Sequence, residues 1–359
     1  MTSGTEGAIP DRDPLVERII TSSPALAEVS RRLLEEQLLD VGRCGEGAVG
    51  LLLAHLTEQL QRPLIVICSS PDSAERLRRD TTTFTAEPIG NFGMWESLFE
   101  AGSEPDPDTF RERFETVRDL QDGKLRTIIA PVQAVLQPFS HDTGDDHRVV
   151  LRRGDRTSPA DLAKSLVKAG YRRFPQVARP GDFAIRGGLF DVWPREESIP
   201  YRLDFFDDEI DSIQSISHRD GRVSSDLDLL VLTIAPKEAW FIRGWTGREQ
   251  LLFDVMPENS VVAVWDPRDV EEKARFLVGQ WAPRQRDKLC ESFWAHAGRF
   301  LRLQMDPLVP EPGRRPVLLP VGSAERFEGS FDATLAALAD ESDRGGDVLV
   351  FLRQKAEAE

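Results

Sequence analysis

Two stretches of this 359-residue chain carry residues whose type and spacing could do chemistry. One is glycine-rich and runs Asp40-Val-Gly-Arg-Cys-Gly-Glu-Gly-Ala-Val-Gly50, with Gly42 and Gly47 at GxxxxG spacing. A working phosphate loop follows that spacing with a lysine for the β/γ-phosphates and a hydroxyl for magnesium. Here the next two residues are Ala48 and Val49, and Glu46 brings a carboxylate to the place a phosphate would take. A degenerate phosphate loop kept for its backbone geometry fits these residues, and so does any glycine-rich turn before a helix. The other stretch is arginine-rich. Between Tyr171 and Arg202 lie six arginines (172, 173, 179, 186, 195, 202) against four acids (182, 191, 196, 197), in a protein of formal net charge −16. A basic patch on an acidic protein attracts an acidic partner and repels copies of itself. The solvated face of an ordinary sheet is the simpler reading of that composition alone.

The elements that must hold the arginines are short strands. Phe183 and Ile185, then Leu189, Phe190, Val192 and Trp193, alternate between Gly181 and Pro194, with Gly187-Gly188 as a tight turn or bulge. Pro200 opens a run from Tyr201 to Phe206, Asp207-Asp208 turns it, and Glu209 to Ile216 returns. The expectation is a meander of about four strands. Phe205 and Phe206 must point to opposite faces, so one of them belongs to the core.

The sequence Gly-Asp-Phe-Ala-Ile-Arg-Gly-Gly-Leu-Phe-Asp-Val-Trp-Pro194, continued by Pro-Tyr-Arg-Leu-Asp-Phe-Phe-Asp-Asp-Glu-Ile-Asp-Ser-Ile213, resembles the UvrA-interaction domain. That domain is shared by UvrB and the transcription-repair coupling factor family, and the second half is more similar to the latter. In the family two arginines and one aromatic contact UvrA. By motif the resemblance puts those roles on Arg186, Arg202 and Phe206. The residue types suit such a contact, since guanidinium forks grip carboxylates bidentately and an exposed ring is a common hot-spot anchor. The resemblance extends more loosely over residues 30–355. It implies an α/β fold: a degenerate P-loop, UvrB-like parallel-sheet domain with a small inserted α+β antiparallel UvrA-interaction domain. It also tips Gly42, Gly47, Ala48 and Val49 toward a lost nucleotide site. Family partners beyond UvrA (RNA polymerase, DNA and a masking C-terminal domain) would act through downstream regions, as would the ATP- and magnesium-dependent motor. No cofactor, metal or catalytic residue is expected in this segment.

Reading along the chain, residues 1–12 look disordered and Asp13 to Leu38 helical with an interruption at Pro24. Leu51–Leu60 and Ser73–Phe84 read as helices, and Pro63–Cys68 as a buried strand. Asn91–Leu98 resembles a family segment in which Trp95 packs rather than stacks on a base. Asp108 should cap a helix carrying Phe110, Phe114, Val117 and Leu120, followed by a strand at Leu125–Ala130 and a helix from Pro131. The polar run Ser140–His147 marks a boundary. It gives domains at 13–143, 144–237 (the inserted domain) and 238–359 (a return segment cut short at its end). Ser158-Pro159 starts a helix ending at Gly170, and Leu227–Ile234 closes the meander. Ser260–Trp265 reads as a strand, followed by Asp266-Pro267 where a motor would place an acid pair for magnesium. Val270–Gln280 and Asp287–Phe300 read as helices, and Asp347–Leu352 as a last strand.

The totals exclude several classes. Forty per cent apolar and 30% charged residues describe a soluble, multi-domain chain without a membrane-length apolar run. The polar N-terminus carries no secretion signal, and three scattered cysteines suit a reducing cytoplasm. The charge of −16 argues against nucleic-acid binding over the whole surface. A UvrB-type excinuclease subunit is the alternative, but it needs a live phosphate loop and a tyrosine-rich hairpin. Only Tyr171 and Tyr201 are present. A divergent nucleotide-binding enzyme is a third reading.

Overall fold

Alternating helices and apolar strands open the chain. The computed structural model describes residues 14–95, 107–137, 148–195, 197–217, 219, 221–234, 251–284, 286–310 and 315–321, with 336, 339 and 343 singly. The expected disorder at 1–12, the linker 140–147 and the strand expected at 347–352 lie outside the described residues. Residues through Leu319 cluster into one unit and Pro320–Glu359 into another.

Helix α1 (Pro14–Ser22) and helix α2 (Pro24–Glu35) meet at Ser23, which caps α2 by accepting from the Leu26 N–H, with Pro24 at its first turn. Strand β1 (Leu38–Gly42) follows, so the helical stretch expected to reach Leu38 ends earlier, and the glycine-rich stretch 40–50 begins as strand (40–42) and ends as helix (46–50). Then come α3 (Glu46–Gln59), β2 (Leu64–Cys68), α4 (Pro71–Phe84), β3 (Ile89–Asn91), α5 (Pro107–Gln121), β4 (Thr127–Pro131) and α6 (Val132–Leu136). Helix α4 starts at Pro71 rather than Ser73 because Ser70 is the cap, its Oγ taking the Ser73 N–H at 3.2 Å. Asp108 lies inside the first turn of α5 rather than at its cap.

The chain then leaves this layer. Strand β5 (Arg148–Arg152), α7 (Pro159–Lys168), β6 (Arg172–Arg173), β7 (Asp182–Arg186), β8 (Leu189–Val192), β9 (Tyr201–Phe206), β10 (Glu209–Ile216), β11 (Val223–Leu227) and β12 (Leu229–Thr233) follow. The strand expected at Leu227–Ile234 is β12, which pairs with β5 rather than closing the meander; the closing strand is β11, just before it. Afterwards α8 (Leu252–Val255), β13 (Val261–Trp265), α9 (Pro267–Trp281), α10 (Arg286–Ala297), β14 (Leu301–Met305) and β15 (Val317–Leu318) return to the first layer. The helix expected to reach Phe300 stops at Ala297, and β14 takes up the next residues.

The first sheet runs in the order β15-β1-β14-β13-β2-β4-β3, and each pairing is parallel. Strands β2 and β4 are buried along their whole length, as sheets covered on both faces require. One face packs Leu64, Val66, Ala263 and Leu303 against Val29 and Leu33 of α2, Leu52 and Leu56 of α3, and Leu77 of α4. The other packs Ile65, Ile67, Ile128 and Val262 against Val117, Leu120, Val270, Val278 and Phe293 of α5, α9 and α10. The second sheet runs β11-β10-β9-β8-β7-β6, antiparallel from β7 to β11, while β5 and β12 pair as a separate two-stranded ribbon. The molecule therefore joins a parallel α/β layer to a separate antiparallel sheet, as expected for a UvrB-like fold with an inserted domain.

Candidate functional site

Period-two alternation sorts the antiparallel sheet into two faces. Phe183, Phe190, Leu203, Phe205, Ile210 and Ile213 point inward, onto Leu162 and Leu166 of α7 and onto Leu230 and Leu232 of the ribbon. Ser158 caps α7 through its Oγ, as the Ser158-Pro159 pair predicts. Phe183 stacks on Phe190 with ring centroids 5.7 Å apart, and Phe205 meets Phe190 edge-on at 6.2 Å.

The opposite face holds Arg186, Asp191, Arg202 and Phe206. Register explains the grouping. Asp191 lies opposite both Ala184 on β7 and Arg202 on β9, and Arg186 sits two residues beyond Ala184. Asp191 is buried, its side chain 2% exposed. Its Oδ1 accepts from Arg202 Nε at 2.7 Å, and its Oδ2 from Arg202 Nη2 at 2.9 Å and from Arg186 Nη2 at 2.6 Å. Two guanidinium groups share this one carboxylate, and Asp204, two residues on from Arg202, brings a second acid to the same face. The hydrogen bond that Arg202 donates to Asp191 raises the pKa of Arg202, against the opposing effect of partial burial. Arg202 is 16% exposed and Arg186 50%, so Arg186 offers the more open fork. Phe206, 79% exposed, projects from the end of β9, while its neighbour Phe205 is core. The alternation expected at Phe205-Phe206 resolves in that sense, and the three residues singled out from sequence share one face.

The hairpin geometry depends on glycine twice. Gly187 has φ +60°, in the left-handed region that favours glycine. At Gly188 a Cβ would lie 2.6 Å from the Phe205 carbonyl oxygen, and the Gly188 carbonyl itself accepts the Phe205 N–H at 2.8 Å. The remaining arginines disperse. Arg195 donates to the Gly170 carbonyl at 2.7 Å and lies over Tyr171, and Arg172 lies over Phe174 and 3.7 Å from Asp182.

The glycine-rich segment is a strand–turn–helix. Gly42 ends β1, and Gly47, Ala48 and Val49 lie in α3, with Val49 fully buried. The intervening turn, which contains Arg43 at φ +61°, is laced to the segment after β14. The Arg43 N–H donates to the Leu308 carbonyl at 2.7 Å and the Cys44 N–H to the Asp306 carbonyl at 2.8 Å, while Trp265 Nε1 donates to the Cys44 carbonyl at 3.1 Å. A Cβ on Gly42 would meet Pro310 Cδ at 2.6 Å, whereas Gly45 and Gly47 face open space. Asp266 caps α9, its carboxylate taking the Asp269 N–H at 3.3 Å with Pro267 in the first turn.

The antiparallel sheet with its arginine pair decides the comparison. Residues 149–240 match the family model of the UvrB interaction domain. The UvrB interaction domain match takes in the whole antiparallel sheet and the ribbon. The transcription-repair-coupling factor of Escherichia coli (strain K12) is 32% identical over 199 residues, 55% of this chain and 17% of that protein. Its Haemophilus influenzae counterpart is 32% identical over 176 residues, 49% of this chain and 15% of that protein. The Bacillus subtilis protein is 28% identical over 214 residues, 58% and 18% respectively. The matches thus span less than a fifth of these relatives' own length.

Sequence reasoning gave Asp191 no role. Its signal was a lone acid inside the apolar run Leu-Phe-Asp-Val-Trp, with an arginine on each flanking strand.

Proposed function

We propose that this chain docks UvrA in transcription-coupled DNA repair, as the non-catalytic part of a protein like the transcription-repair-coupling factors it resembles. The observation that carries the reading is the common face of Arg186, Arg202 and Phe206, where an exposed ring shares a face with the half-exposed guanidinium of Arg186. Such a face suits an acidic partner with an apolar pocket. RNA polymerase, DNA and an ATP-driven motor would engage other regions of the whole protein, and the cytoplasm would be its compartment. Among the described residues no helix is long and apolar enough to cross a membrane.

Several features favour a lost nucleotide site around Gly42–Val49. The N–H groups of Arg43 and Cys44 are already bonded to backbone carbonyls, Ala48 stands where a lysine would neutralise phosphate, and Val49 is a buried apolar residue where a hydroxyl would meet magnesium. Pull-down of UvrA by the chain without ATP tests the docking. Retention by the wild type and loss by an Arg186→Ala/Arg202→Ala double variant is the expected outcome, and equal retention by both would refute the assigned face. Calorimetric titration with ATP and magnesium should show no saturable heat.

A further inference from the structure

The docking reading treats the two arginines as contact residues and leaves the acid between them unused. We infer that Asp191 is a positioning residue: a buried carboxylate that fixes the spacing and orientation of the two guanidinium groups that meet the partner. The inference rests on the docking reading and deepens it. Both carboxylate oxygens are spent on arginine, at 2.6 to 2.9 Å, and the side chain is 2% exposed. A partner's carboxylate therefore meets the arginines and not the aspartate. Arg202 gives its Nε and one terminal nitrogen to Asp191, and Arg186 gives one terminal nitrogen. Arg202 Nη1 and Arg186 Nε and Nη1 take no part in these bonds. Asp204, on the same face of β9, adds a second, weaker attraction on Arg202.

The anchor has two opposing effects on binding. It holds two long side chains in one geometry, so less rotamer freedom is lost when a partner binds. It also cancels one of two positive charges, which weakens long-range attraction of an acidic partner. Removing the charge of Asp191 should therefore move the two rate constants differently. Association should hold or quicken, more so at low salt, because the face gains one net positive charge. Dissociation should quicken, because each fork must now be ordered by the partner alone. A purely structural role predicts a different pattern. A partly unfolded population lowers the active concentration and so the apparent association, but leaves the dissociation of folded molecules unchanged.

The test is association and dissociation kinetics of the 359-residue chain on immobilised UvrA, at low and near-physiological salt, beside thermal unfolding. Asp191→Asn should dissociate about tenfold faster or more, with association equal to or above the wild type. Asp191→Ser removes the same charge with a smaller side chain and should also dissociate faster, and it decides the matter if Asp191→Asn does not fold. Dissociation within twofold of the wild type for the folded variants overturns the inference. If the Arg186→Ala/Arg202→Ala variant loses UvrA while Asp191→Asn binds as the wild type, docking stands and the positioning role falls. If the double arginine variant also binds as the wild type, the docking reading itself falls.

Discussion

Adjacent phenylalanines on β9 should respond in opposite ways to truncation. Phe206 is 79% exposed, and a phenylalanine carries about 200 Å² of surface, so about 160 Å² of ring and backbone stands in solvent. Burying that area in a partner at about 25 cal/mol per Å² would contribute ~4 kcal/mol as a ceiling. Hot-spot truncations start at about 2 kcal/mol, so Phe206→Ala should weaken UvrA binding between about thirtyfold and several hundredfold. The same change should leave folding nearly untouched, because little of the ring contacts its own chain. Phe205 is 7% exposed and packs edge-on against Phe190. Phe205→Ala should cost about 3–5 kcal/mol of stability by opening a cavity under the sheet. The assay is paired: isothermal titration of each variant with UvrA, and urea unfolding followed by near-ultraviolet circular dichroism. Wild-type affinity in a folded Phe206→Ala protein would refute the assignment of this ring as the anchor. A loss of stability in Phe206→Ala matching that of Phe205→Ala would refute the face assignment.

Other consequences can be checked on the chain alone. Gly188→Ala should destabilise the antiparallel sheet by about 1–3 kcal/mol, since its Cβ would lie 2.6 Å from the Phe205 carbonyl oxygen and β9 must shift; an unchanged melting temperature would contradict this. His55 lies between the Ile20 carbonyl, 2.8 Å from Nδ1, and Ser30 Oγ, 2.8 Å from Nε2, so Nδ1 carries the proton and Nε2 accepts from the hydroxyl. Burial lowers its pKa more than the carbonyl contacts raise it. The unfolded chain therefore takes up the proton first, and stability should begin to fall as pH drops below about 6.5 and keep falling toward the lower folded value. Urea midpoints at pH 7.5 and 5.5 should show the drop, and His55→Gln should flatten it. Burial pushes the Cys44 and Cys68 thiols up to about 12 and raises Cys290 as well, so iodoacetamide at pH 8 should modify none of the three before denaturant is added. Rapid labelling of native protein would show that these sites open.

What could be read beforehand divides along local and non-local lines. The antiparallel domain announces itself because its connections are short and built from turn residues: Gly187-Gly188, Pro200 and Asp207-Asp208 each fall where a strand reverses. The Ser158-Pro159 start of α7 is equally local. In the parallel sheet only the continuous apolar runs at 63–68, 125–130 and 260–265 read as strands. Strand β1 contains Asp40, a buried acid, and follows directly on a helical pattern, so nothing near it in sequence marks a strand. Strand β14, Leu-Arg-Leu-Gln-Met, begins just past the expected end of a helix at Phe300 and carried no expectation; its place comes from its neighbours β1 and β13. At the site, the resemblance named Arg186, Arg202 and Phe206. It did not reveal that one buried carboxylate ties both arginines, because that depends on the register of three strands.

The lacing of the Arg43–Cys44 turn to residues 306–308 bears on how the molecule is made. Strand β1 is flanked on both sides by the last two strands among the described residues, with Leu38 opposite Arg302 and Val41 opposite Val317. A ribosome must deliver the chain past residue 305 before β1 finds either neighbour. Meanwhile the meander's pairings close over a few residues each, and such local contacts form early. Synthesis should therefore yield a finished antiparallel sheet while the parallel sheet is still open. A chain released before residue 317 would leave β1 without one of its two partners.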